Sequence, residues 1–85
     1  MDSIYIAYDF IVSPKEPATE MLIAQLGYIG FESFVENENG VVAYIQKKEW
    51  NSDKVEDLYL LNSNEFDITF NHSEIEQPKK ILYHQ

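Results

Sequence analysis

Residues 26–45 read LGYIGFESFVENENGVVAYI and carry most of the information about the fold. They contain the end of an amphipathic helix, Gly30 as a helix stop, a strand, an Asn-Gly turn and a second strand. Asn-Gly favours a type I′ turn because both residues tolerate positive φ. The register of such a hairpin places Phe34, Ala43 and Ile45 on one face. The other face then carries Phe31, Ser33, Val35, Val42, Tyr44 and Gln46, although a β-bulge would invert this assignment.

The flanking segments predict the remaining elements. Before the hairpin, residues 3–12 alternate, with Ile4, Ile6, Tyr8, Phe10 and Val12 on one side and Tyr5, Ala7, Asp9 and Ile11 on the other. Pro17 suits a first helical position, so a helix is expected from near Glu16, and its apolar face consists of Ala18, Leu22, Leu26 and Ile29. After the hairpin, N-cap candidates at residues 51–53 precede a second helix that carries Val55, Leu58, Tyr59 and Leu61.

A fourth strand is predicted from Phe66, Ile68 and Phe70, and a polar exit begins near Ser73. The element order βαββαβ predicts an α+β, ferredoxin-like fold, in which a four-stranded antiparallel sheet carries two helices on one face. We expect one domain at residues 1–74 and an exit segment or linker tail at residues 75–85. The other face of the sheet would be open to solvent or to a partner.

Composition narrows the class of protein. The 85 residues hold fifteen Asp and Glu against six Lys and no Arg, for a net charge of −9. Direct nucleic-acid binding is disfavoured because phosphate binding requires clustered cations, whereas a basic protein partner suits this charge. The absence of Cys fits a cytoplasmic protein, and neither a signal peptide nor an apolar run of membrane-spanning length is present.

Catalytic, cofactor and metal sites are not predicted. His72 and His84 have no neighbouring ligand at metal-binding spacing, and five of the six Ser residues, at positions 13, 33, 52, 63 and 73, lie in no nucleophile-elbow context. Gly27, Gly30 and Gly40 form no phosphate-binding loop. We therefore expect the chain alone not to be an enzyme.

Three segments, with Gly40 between the second and the third, resemble the N-terminal domain of the bacterial ribosomal protein L-11 methyltransferases, the PrmA family. They are residues 17–26 (PATEMLIAQL), 30–36 (GFESFVE) and 43–47 (AYIQK). The resemblance implies a ferredoxin-like domain that recognises the ribosomal protein. In this family a linker then leads to a Rossmann-like domain, which binds S-adenosylmethionine and methylates lysine and N-terminal amines. The chain stops at Gln85, before such a domain, so S-adenosylmethionine is implied only for a catalytic domain absent from this chain.

The function expected from this resemblance is substrate recognition, by a monomer that docks the basic ribosomal protein L-11 on the open sheet face. The candidate partner-binding residues are Tyr5, Ala7, Asp9, Val35, Val42 and Tyr44, with Glu36 and Glu38 at the hairpin tip. For Tyr5 and Tyr44 the alternative is ordinary packing beneath the C-terminal tail. The alternative function is a freestanding ferredoxin-like dimer that senses a small molecule.

Overall fold

The computed structural model describes residues 4–76. It has four strands and three short or medium helices, in the order β1 (Ile4–Ser13), α1 (Ala18–Tyr28), β2 (Ser33–Glu36), β3 (Gly40–Gln46), α2 (Ser52–Glu56), α3 (Tyr59–Asn62) and β4 (Asp67–Glu76), with a 3₁₀ turn at Lys47–Glu49. The strands form one antiparallel sheet in the order β2-β3-β1-β4. This arrangement confirms the predicted α+β, ferredoxin-like class.

Helix α1 buries the face that the sequence predicts. Ala18, Leu22 and Leu26 are fully buried. The helix begins at Ala18 and not near Glu16, and Pro17 occupies the N-cap position, so the prediction that Pro17 is the first helical residue is wrong by one position. At the other end Gly30 has φ +113°, and the N–H groups of Gly30 and Phe31 donate to the carbonyls of Gly27 and Leu26. These are the two hydrogen bonds of a Schellman motif, so Gly30 ends the helix as expected.

A β-bulge separates α1 from β2 and corrects the predicted position of Phe31. The N–H of Glu32 donates to the carbonyl of Tyr44 at 2.9 Å, while Ser33 is the register partner of the same Tyr44. Glu32 and Ser33 therefore both lie opposite Tyr44, and the alternation of side chains between the two faces of the sheet is reversed before Ser33. Phe31 is 4% exposed and belongs to the hydrophobic core, whereas the prediction put it on the opposite face. Beyond the bulge the predicted register holds, because Phe34 pairs with Ala43.

The β2–β3 turn is not type I′. Within residues 4–76 no residue other than glycine has positive φ, and Gly40 does not have it either. Instead the side-chain Oδ1 of Asn37 accepts hydrogen bonds from the N–H groups of Asn39 and Gly40, both at 2.9 Å. The Asn37 side chain thus takes the place of a backbone carbonyl and closes the turn.

The second predicted helix is divided into α2 and α3. The side chain of Asn51 caps α2 by accepting from the N–H of Asp53, as predicted. Leu58 then adopts an extended conformation (φ −62°, ψ 137°), which interrupts the helix. As a result the buried residues are Val55, Leu58 and Leu60, while Tyr59 is 65% exposed. The prediction that Tyr59 belongs to the apolar face is wrong.

Strand β4 continues to Glu76, so Glu74, Ile75 and Glu76 pair with β1 instead of forming a polar exit. The rest of the predicted exit segment, residues 77–85, lies outside the described residues, and the domain division remains a prediction. Among residues 4–76 the longest helix has 11 residues, and none is long and apolar enough to cross a membrane.

Candidate protein-binding face

We define the open face as the surface of the sheet opposite the helices. The register places six of the eight candidate residues on it. Tyr5, Ala7 and Asp9 are odd-numbered residues of β1 and pair with Gln46, Tyr44 and Val42 of β3. Val35 of β2 pairs with Val42 and therefore shares this face. The alternation predicted from the sequence thus brings these side chains to one surface.

The two acidic candidates at the hairpin lie elsewhere. Glu36 pairs with Val41, a fully buried core residue, so its side chain belongs to the helix side of the sheet. Glu38 lies in the loop between β2 and β3 and is exposed. The structure therefore does not bring Glu36 together with Tyr5 and Tyr44, because the strand alternation turns it away.

Tyr5 and Tyr44 lie on the open face but present little surface, with 6% and 8% exposure. The Tyr5 hydroxyl donates to Oε2 of Glu32 at 2.6 Å, and the Gln46 side-chain amide donates to Oε1 of the same carboxylate at 3.3 Å. Glu32 reaches this face because of the bulge. The two tyrosines therefore form the base of the open face and offer little area for contact.

The tyrosine hydroxyls stay protonated well above neutral pH. The hydrogen bond to Glu32, followed by burial, raises the pKa of Tyr5 to about 12. Burial raises the pKa of Tyr44, and the nearby carboxylate of Asp9 adds to the effect. Both groups are therefore neutral hydrogen-bond donors under physiological conditions.

The largest exposed apolar group on the open face is Ile11, which is 52% exposed and was not among the candidate residues. Ile11 pairs with Gly40 and lies diagonal to Val42, whose partner Val35 is 40% exposed. The register therefore places Ile11, Val42 and Val35 next to one another, and we call these three residues the apolar patch. The β1 alternation already assigns Ile11 to this face, so the signal was present in the sequence.

Within residues 4–76, all charged side chains that the strand register and the bulge place on the open face are acidic. They are Asp9, Glu32 and Asp67, the last of which pairs with Ser13 at the end of β1. The lysines of residues 4–76 lie outside the strands, at Lys15, Lys47, Lys48 and Lys54. The face therefore combines an apolar patch with a negative potential, which suits a basic partner.

The groups with catalytic or ligand potential are engaged in packing. His72 stacks on Tyr8 with ring centroids 4.8 Å apart and contacts Trp50, whose indole N–H donates to the Tyr8 hydroxyl at 3.0 Å. Among residues 4–76, no three His, Asp or Glu side chains lie close enough to hold a metal ion. The positions of Tyr8, Trp50 and His72 are therefore explained by packing.

Comparison with known proteins links part of the chain to one enzyme family. It is 50% identical over 44 residues to the ribosomal protein L-11 methyltransferase of Bacteroides thetaiotaomicron, a match that covers 51% of this chain and 16% of the relative. It is 44% identical over 50 residues to the enzyme of the same name from Bacteroides fragilis, covering 58% of this chain and 18% of the relative. These partial matches support a relation to that family.

No protein-family model and no solved structure matches the chain. The matched segments make up less than a fifth of the length of the methyltransferases.

Proposed function

We propose that this chain is the substrate-recognition domain of a ribosomal protein L-11 methyltransferase and that it docks the basic ribosomal protein on its open face. The observation that carries the proposal is the composition of that face, on which exposed Ile11 and Val35 adjoin side chains that carry only negative charge. The similarity to methyltransferases named for ribosomal protein L-11 supports the choice of that protein as the partner.

The two components of the face have different roles. The apolar patch of Ile11, Val35 and Val42 loses water on contact, which stabilises the complex in proportion to the area buried. Asp9 and Asp67 at its margin attract Lys and Arg side chains, and such rim charges raise the rate of encounter more than the final affinity. Tyr5, held by Glu32, keeps the surface rigid, so little conformational entropy is lost on binding.

Methyl transfer belongs to a separate domain in this proposal. The described glycines do not build a strand-to-helix loop for S-adenosylmethionine, because Gly27 lies within α1, Gly30 ends it and Gly40 begins β3. These residues do not fit the cofactor, and no step of the reaction is assigned to them. The recognition domain would hold the substrate in the cytoplasm while the catalytic domain acts on its amines.

Calorimetric titration with purified ribosomal protein L-11 tests the proposal. Asp9→Lys replaces an attractive carboxylate beside the apolar patch with a cation that repels a basic partner, and we expect it to weaken binding about tenfold or more, chiefly by slowing association, which corresponds to roughly 1.4 kcal/mol. The matched control is Glu20→Lys, which makes the same change in net charge on an exposed position of α1. We expect the control to stay within about twofold of the unchanged domain.

Equal effects of the two variants would mean that only the total charge matters and would remove the open face from consideration. A domain that does not bind the ribosomal protein at all would overturn the proposed function itself. Circular dichroism of both variants establishes that they are folded before the titrations are compared.

A second candidate is the small-molecule-sensing dimer, which one feature of the helix layer favours. A groove of about 660 Å³ runs between α1 and the α2–α3 segment, and exposed Tyr28 and Tyr59 border it. This volume and apolar lining fall in the range of small-molecule sites. Sedimentation equilibrium separates the two candidates, because a dimer whose mass is independent of concentration supports the sensor and a monomer supports the recognition domain.

A further inference from the structure

The direction of the backbone groups in β4 follows from two hydrogen bonds elsewhere in the sheet. The N–H of Val12 donates to the carbonyl of Asn39, and the N–H of Asn37 donates to that of Gly40. In an antiparallel ladder, hydrogen-bonded pairs recur every second residue. The even residues of β1 therefore bond to β3, and its odd residues bond to the odd residues of β4.

The even residues of β4 consequently direct their N–H and C=O groups to the outer edge of the sheet. They are Ile68, Phe70, His72, Glu74 and Glu76. Within residues 4–76 no strand pairs with this edge, since β4 is the last strand of the sheet. A ten-residue edge with five outward-facing residues is a template for another strand.

β4 is also the least covered strand on the helix side. Its residues are mostly exposed, whereas β1 and β3 are mostly buried. Phe70 is 36% exposed although its ring packs against Tyr8 and Phe10, and His72 beside it is exposed as well.

Along the helix side of β4, aromatic and acidic side chains occupy separate segments. Phe70 and His72 occupy one half of the helix side, and Glu74 and Glu76 occupy the other. Glu74 forms an ion pair with Lys47 at 2.9 Å, yet about half of its surface remains exposed. An incoming antiparallel strand would meet carboxylates near its N-terminus and aromatic rings near its C-terminus.

We propose that the outer edge of β4 binds an extended, lysine-containing segment of another protein as an antiparallel fifth strand. Residues of this segment opposite Glu76 and Glu74 would be Lys, and those opposite His72 and Phe70 would be apolar. Main-chain hydrogen bonds to the even residues of β4 supply affinity, and the alternate side chains supply specificity. The edge is separate from the open face, so this inference does not depend on the proposed function.

A second copy of the chain does not fit the edge. β4 contains no Lys or Arg, so pairing with another β4 leaves the carboxylates of Glu74 and Glu76 opposite apolar groups, His72 or each other. The net charge of −9 on each copy adds to the repulsion. Acidic residues on an edge strand thus reject self-association and accept a strand of opposite charge.

The test uses the whole 85-residue chain and the acetylated, amidated peptide Lys-Thr-Lys-Thr-Val-Thr-Val. Its first and third residues match Glu76 and Glu74 in an antiparallel alignment. We expect binding to slow hydrogen exchange at the N–H groups of Phe70, His72 and Glu74 about fivefold or more. The fluorescence of Trp50, the single Trp, should change in parallel because its indole contacts His72.

Three comparisons make the result decisive without altering the protein. N-methylation of the two lysines and two valines removes the donors that face β4 and should abolish binding, whereas N-methylation of the threonines should leave it nearly unchanged. The reversed peptide, Val-Thr-Val-Thr-Lys-Thr-Lys, has the same composition and should bind about tenfold more weakly. Equal binding of the two N-methylated peptides would overturn the proposal. Unchanged hydrogen exchange at the even residues of β4, or concentration-dependent dimerisation of the chain through β4, would also overturn it.

Discussion

At the scale of single residues, Glu32 shows how one backbone irregularity determines the chemistry of a face. The bulge at residues 32–33 turns the Glu32 side chain toward Tyr5 and directs Phe31 into the core. Regular alternation would have placed both side chains on the wrong sides. The hydrogen bond that results favours the neutral phenol of Tyr5, because its ionised form would lie beside a carboxylate.

Tyr5 should make folding stability depend on pH at the alkaline end. Its pKa rises from 10.0 to about 12 in the folded chain. The unfolded chain therefore loses this proton first, and the free energy of unfolding falls as pH rises from about 10 toward 12, while the full contribution is present below pH 10. Urea unfolding between about pH 9 and pH 11 should show this loss, and Tyr5→Phe should reduce it.

Glu32→Gln provides the control for this prediction. It removes the charge but keeps a hydrogen-bond acceptor, so the pKa of Tyr5 should move back toward 10.0. Carbon NMR of the labelled tyrosine ring follows the titration directly, with Tyr5→Phe used to assign the signal. A Tyr5 titration that is the same in Glu32→Gln would show that burial alone is responsible.

At the scale of elements, the contact between the start of β3 and β1 requires a residue without a side chain. A Cβ built on Gly40 would lie 2.2 Å from the carbonyl oxygen of Phe10. That oxygen belongs to the backbone of a buried strand and has no room to move. We expect Gly40→Ala to lower the free energy of unfolding by about 1–3 kcal/mol, measured by urea denaturation.

Gly27→Ala is the matched control, since it adds the same methyl group to another glycine. No atom lies within 4 Å of a Cβ at Gly27, which is within α1. Alanine is favoured over glycine in a helix, so this variant should be more stable by about 0.5–1 kcal/mol. A Gly40→Ala variant as stable as the unchanged chain would show that β1 and β3 can separate locally without loss.

Some features of the elements follow from the periodicity of the sequence, and others depend on the backbone conformation of a single residue. The face of α1, the alternation of β1 and the pairing of Phe34 with Ala43 all follow from repeating patterns, and the structure confirms them. The break at Leu58 and the bulge at Glu32 depend on how the chain packs against the sheet, and no local residue type specifies them. The extent of β4 was missed because its exposed edge carries too few apolar residues to alternate.

At the scale of the whole molecule, the sheet formed by residues 4–76 has one face covered by helices, one open face and two edge strands, β2 and β4. The sequence predicted the membership of the open face through Tyr5, Asp9, Val35 and Tyr44. It did not predict that the tyrosines are buried, because burial depends on neighbours from several strands. The contact surface accordingly shifts toward Ile11 and Val35, and its role in binding remains a prediction.

The distribution of charge also predicts how the proposed association with ribosomal protein L-11 would respond to salt. The chain carries a net charge of −9, and Asp9 and Asp67 add a local negative potential at the open face. Screening shortens the range of such charges from about 10 Å at 0.1 M salt to about 3 Å at 1 M. Between about 0.05 M and 0.5 M sodium chloride, the association rate constant should therefore fall about tenfold or more.

The dissociation rate constant should change much less, because the apolar contacts of Ile11, Val35 and Val42 persist at high salt. Stopped-flow measurement of the association and dissociation rate constants separates the contribution of the charges from that of the apolar contacts. Val35→Asp is the complementary variant, since it damages the apolar patch while adding negative charge. It should speed dissociation without slowing association. A salt effect confined to dissociation would show that the charges act only in the bound complex and that the acidic surface does not steer the encounter.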